Sequence, residues 1–166
     1  MTTLALYSPE DVVILLGGIY QITGTHEGSF VVIAEGDTKW ETTVTADGRV
    51  SRTYKKDPTH TVSITLTSTA DSNSIFSAWT SADGLLYGAM IPLFIKDNMG
   101  TTLFYAPMCW VEKVPESSFS TEVKPREWVI RTAGATSILG GNESGGLVSS
   151  DIASLGFLSA DFAELI

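Results

Sequence analysis

The chain has 166 residues, enough for one domain with a sizeable core, and 43% hydrophobic against only 17% charged residues argues against disorder over most of it. The net charge of −9 excludes a protein that grips nucleic-acid phosphates through a basic stripe. A single cysteine, Cys109, excludes an intrachain disulfide scaffold, suits a reducing compartment and reads as a small core hydrophobe. In chain order, Val12–Leu16 and residues 19–23 read as strands bent at Gly17-Gly18, and residues 29–35 as a third after a glycine-flanked turn. The run Val12–Leu16 is too short to cross a bilayer and follows Glu10-Asp11, so neither a targeting segment nor membrane insertion is expected.

Residues 40–46 and 49–55 flank Asp47-Gly48, a two-residue hairpin signal, and both arms read as polar on both faces. Residues 38–59 are thus expected to project from the body, with Lys39, Arg49, Arg52, Lys55 and Lys56 holding half of the ten basic residues. From His60 the alternation of Val62, Ile64 and Leu66 with Ser63, Thr65 and Thr67 marks a strand with one buried face. The period then changes to that of a short helix. Asp71 or Ser72 is its expected cap, Ile75, Phe76 and Trp79 its core face, and Asp83-Gly84 its left-handed exit. Burying three such side chains stabilises by roughly 1.5–3 kcal/mol each, so the helix is expected to plug the open end or flank of a β-sandwich.

Residues 89–96 and 101–111 read as a hairpin closed by Asp97-Asn98-Met99-Gly100, and residues 118–132 as a long last strand interrupted at Pro125. After Gly134 the composition changes. Residues 140–146 read as a Gly-rich linker, followed by two short acidic helical turns capped by Ser150 and Ser159.

No arrangement of reactive groups emerges. His26 and His60 belong to no metal-ligand spacing, and neither a nucleophile elbow nor a phosphate-cradling loop is present. Glu35, Glu41, Glu112, Glu116 and Glu122 supply carboxylates without a distinguishing pattern for glycoside hydrolysis. Trp40, Trp79, Trp110 and Trp128 offer a sugar-stacking set, against which core use is the expectation. No catalytic residue, cofactor or metal is expected.

The segments YSPEDVVILLGG (7–18), EGSF (27–30), ADGRVSRT (46–53), VSITLTSTADSN (62–73), IPLFIKD (91–97), GTTL (100–103) and REWVIRTAG (126–134) together resemble the tail tube proteins of contractile-tailed bacteriophages. The resemblance spans residues 4–135. It divides the chain into a tube domain, 1–135, and a C-terminal extension, 136–166. It implies a mainly β fold, a β-sandwich or half-barrel with one flanking helix, assembled into hexameric rings whose inner sheets join and which stack into a hollow tube. The implied partners are copies of the chain itself, a sheath protein, a tape measure protein and DNA in transit, and the implied location is a virion tail assembled in the host cytoplasm. The resemblance puts the hairpin, with Trp40, Asp47, Gly48, Arg49, Arg52, Lys55 and Lys56, between rings. It makes Glu35, Glu116, Glu122 and Lys124 candidates to face the channel, Lys124 breaking an otherwise acidic lining. The tube of a bacteriocin-like or secretion machine that carries no DNA and, in a different class, a carbohydrate-binding β-sandwich are the alternatives.

Overall fold

The computed structural model describes residues 5–142. A 3-10 turn, Pro9–Asp11, leads into β1 (Val12–Leu16), which folds back through left-handed Gly17 and Gly18 onto the short β2 (Tyr20–Gln21). Then follow β3 (Val31–Glu35), β4 (Trp40–Val44), β5 (Val50–Tyr54), β6 (Thr59–Thr67), α1 (Ser72–Leu86), β7 (Ile91–Asp97), β8 (Leu103–Lys113), β9 (Pro125–Ala133) and β10 (Thr136–Ile138). Eight strands form one antiparallel sheet in the order β2-β1-β7-β8-β9-β6-β3, with β10 also on β8. Strands β4 and β5 stand apart as a two-stranded sheet of their own. The expected sandwich is thus one continuous sheet, which among the described residues does not close into a barrel.

Alternation builds the core. Along β6 every second residue is buried, and Val62, Ile64 and Leu66 meet Ile14, Leu93, Ile95, Phe104 and Ile130 from the curled sheet. Phe76 of α1 stacks on Trp128 at 5.2 Å and on Trp79 at 6.2 Å, so the helix covers this apolar face as a plug. Asn73 clasps it in place: its Nδ2 donates to Thr67 O and Ala70 O, and its Oδ1 accepts the Trp128 indole N–H at 2.9 Å.

Three helix expectations change. Asp71 makes no side-chain cap; the Ser72 hydroxyl instead accepts the Thr23 N–H at 3.0 Å and meets Tyr20 OH at 3.1 Å. Gly84 stays helical and the left-handed exit falls at Tyr87, because the Asp83 carboxylate accepts the Ala89 N–H and Trp79 Nε1 donates to Ala89 O, holding the chain one turn later. Finally, Ile75 lies outward at 38% exposure. The inward stripe is Asn73, Phe76 and Trp79 at three-residue steps, with Ser72 four residues before Phe76.

The last strand also differs from expectation. Lys113 ends β8 after a bulge, Pro115 lacks an N–H for pairing, and strand geometry resumes only at Pro125. Residues 114–124 are therefore an irregular connection. Beyond β9, Gly134 turns its N–H to Pro58 O opposite Pro107, after which β10 continues in the same register on β8. Residues 140–142 are tied in through Gly140 O and Gly141 O, which accept from Thr102 and Thr101, and Asn142 Nδ2, which donates to Asp97 Oδ2 at 2.8 Å. The two acidic helical turns capped by Ser150 and Ser159 lie outside the described residues.

Candidate assembly surfaces

Among the described residues no three His, Cys, Asp or Glu side chains stand together to hold a metal ion, and no helix is long and apolar enough to cross a membrane. Cys109 is buried, which pushes its thiol up to about 12, so it is a packing residue rather than a nucleophile. Of the four tryptophans, Trp79 and Trp128 are core, Trp110 is half-buried and Trp40 lies on the hairpin. They form no common platform. Exposed apolar groups and open strand edges are what the surface offers.

The hairpin is the first such feature. Val44 pairs with Val50, Thr45 N–H bonds Arg49 O, and Gly48 N–H closes the turn onto Thr45 O with Gly48 at φ +81°. This is the three-residue connection with a left-handed glycine, not the two-residue one expected around Asp47-Gly48. One extra residue reverses the face of the second arm. A two-residue loop would have set Trp40 and Val44 against polar partners. The observed register sets Trp40 opposite Tyr54, Thr42 opposite Arg52 and Val44 opposite Val50, all on one face. Four of its six side chains, Trp40, Tyr54, Val44 and Val50, are large and apolar, and all six are exposed. Trp40 and Tyr54 pack at 4.9 Å between ring centroids, and the Arg52 guanidinium lies 4.0 Å over the indole.

The other face and the base are ionic. Lys55 reaches both Asp37 (3.3 Å) and Glu41 (3.2 Å), Lys39 pairs with Glu35 at 2.9 Å, and Arg49 pairs with Asp47 at 3.1 Å. The Thr38 N–H, helped by Lys55, holds Asp37 below the usual aspartate range, and the Thr45 hydroxyl does the same for Asp47. Glu41, with Asp37, raises Lys55. Among the described residues Arg52 has no carboxylate partner. Lys56 is exposed beside the base.

The channel candidates do not gather. Glu35 ends β3 opposite His60 at one end of β6, whereas Glu116, Glu122 and Lys124 lie in the irregular connection whose end, Lys124, meets Ser68 just past the other end of β6. Seven residues of strand, about 23 Å, separate the two ends. A strand lining built from all four is not what the fold presents. The free edge of β3 is more telling, since among the described residues Val31–Glu35 pairs only with β6 and its outer edge is open.

A further exposed apolar group was not foreseen from the sequence. Leu85, Leu86 and Tyr87 end α1 in the open, Tyr87 at 92% exposure and φ +51°. Tyr87 and Met90, with Asp83, Gly84, Gly88 and Trp110, line a depression of about 430 Å³. The run Leu-Leu-Tyr directly after Gly84 was its only signal.

No family model matches the chain. It is 26% identical over 144 residues to Structural protein ORF10 of Pseudomonas phage KPP10, covering 82% of this chain and 83% of that protein. Its fold matches a chain of the anti-feeding prophage cap, the AFP tube terminating cap, with a TM-score of 0.58 over 83% of this chain and 94% of that one, at 11% identity. It also matches a chain of the PVC sheath-tube complex, an extracellular contractile injection system in its extended state, with a TM-score of 0.54 over 80% and 91% of the two chains, at 10% identity. In sequence, then, the chain is similar to a phage structural protein, and in fold it is tail tube-like.

Proposed function

We propose that this protein is a non-catalytic subunit of a phage tail tube, six copies closing a ring and rings stacking into the channel through which DNA leaves the virion. The observation that carries this reading is the open edge of β3. A soluble monomer ordinarily blunts such an edge, and pairing it with a strand of a neighbouring copy satisfies its backbone groups. Sheath and tape measure proteins are the partners this role calls for, and Glu35, Glu116, Glu122 and Lys124 remain the channel-facing candidates. An acidic wall leaves DNA without a grip. Trp40, Asp47, Gly48, Arg49, Arg52, Lys55 and Lys56 belong to an arm between rings. The tube domain takes in residues 1–135, with 136–166 as an extension.

Negative-stain microscopy and mass measurement of the full chain test this: six-fold rings and tubes support it, and a monodisperse monomer at high concentration refutes it. Fold similarity to a tube terminating cap favours a second reading, a ring that ends a tube. That protein would form single rings that never stack by themselves. A DNA-free injection machine is separated from a phage by whether capsid and portal genes lie alongside.

A further inference from the structure

Two of the exposed apolar groups among the described residues, the hairpin face and the C-terminal end of α1, are put by the topology at opposite ends of the sheet. The hairpin leads into the start of β6, and the C-terminal end of α1 leads into the start of β7. Strands β6 and β7 are linked through β9 and β8 by three antiparallel steps, so they run opposite to each other. Helix α1 itself connects the end of β6 to the start of β7, so both its ends attach at the end of the sheet away from the hairpin.

We infer that the apolar face of the β4–β5 hairpin of one copy docks on the C-terminal end of α1 of a second copy, Val44, Val50 and Tyr54 meeting Leu85, Leu86 and Tyr87. The contact is head-to-tail and repeats without using up either surface, as a stacked assembly requires. Charge agrees with shape. Arg52, held over Trp40 and without a carboxylate of its own among the described residues, is the hairpin's spare cation. The receiving end offers Asp83, the one charged side chain of α1, and the negative pole of a helix with no basic residue in its last turn. An apolar centre with matched charge beside it suits a stable contact.

This rests on the tube-subunit reading and names the receiving surface for its hairpin. Two full-length variants, Val50→Cys and Leu86→Cys, are mixed, allowed to assemble and oxidised. Both positions are exposed, so the fold tolerates the changes, and buried Cys109 stays silent. The expected product is a disulfide joining one V50C chain to one L86C chain, with neither variant linking to itself. Tubes without that mixed disulfide, or V50C linking to itself, overturn the inference while leaving the tube reading intact; no assembly by the wild-type chain overturns both. As a second measurement, Leu86→Glu raises the concentration needed for stacking about tenfold or more while rings persist. Unchanged stacking overturns the inference as well.

Discussion

Replacing Asn73 by Ala removes the polar clasp between helix and sheet, and the cost follows from what each lost bond leaves behind. The Trp128 indole N–H, on a side chain 2% exposed, loses its acceptor. An orphaned buried donor costs about 1–3 kcal/mol. The carbonyls of Thr67 and Ala70 lose a donor too, but Thr67 is half-exposed and Ala70 O keeps the Asn73 N–H, so these two add about 1 kcal/mol together. The expected loss is about 2–4 kcal/mol, a large part of the 5–15 kcal/mol typical of a domain. Urea denaturation of dilute full-length chain, followed by tryptophan fluorescence, reads it. Trp128→Phe keeps an aromatic ring beside Phe76 and deletes the donor, so Asn73→Ala should cost about 1–3 kcal/mol less in that background. A cost under about 0.5 kcal/mol, or equal costs in both backgrounds, would refute the clasp.

Gly24→Ala should destabilise by at least about 2 kcal/mol, since Gly24 sits at φ +76° and an added Cβ would run into Ala70, on a segment pinned to β6 through Gly24 O; a neutral result by thermal melting counts against this packing. In the hairpin, Asp37 and Asp47 titrate below their ordinary value of 3.8, so their stabilisation is complete above about pH 4 to 5 and is lost as pH falls from there through the lowered values. Proton NMR of the Trp40 indole should stay constant from pH 7 to about 5 and shift only below about 4, and a transition near neutrality would contradict this. Cys109 should resist maleimide at pH 8 in the native chain and react fully in denaturant, whereas rapid native labelling would show that β8 opens there.

Much of the body is legible because a single face is buried. The alternation of Val62, Ile64 and Leu66 fixes both β6 and the direction of the core, and the change of period after Thr67 finds α1. What escaped depends on distant or single-residue effects. Nothing local separates a two-residue from a three-residue loop at Asp47-Gly48, yet that residue decides whether the arm is polar all round or carries an apolar face. The helix overruns Gly84 because Ala89, five residues on, supplies partners to Asp83 and Trp79. Glu122 and Lys124 read as strand positions through alternation alone, where Pro115 and Pro125 bracket a stretch that forms no strand among the described residues. Ile75 looks like core by type, but the stripe set by Asn73 and Phe76 passes beside it.

In the proposed assembly β3 waits for a strand from another copy. Amide hydrogen exchange over Val31–Glu35, compared between dilute chain and the same chain at assembling concentration, tests it most directly. Exchange there should slow on assembly by about a hundredfold or more, while the interior strand β9, already paired on both sides, changes little. Equal exchange at both concentrations, with the edge of β3 still open in whatever particle forms, would contradict it.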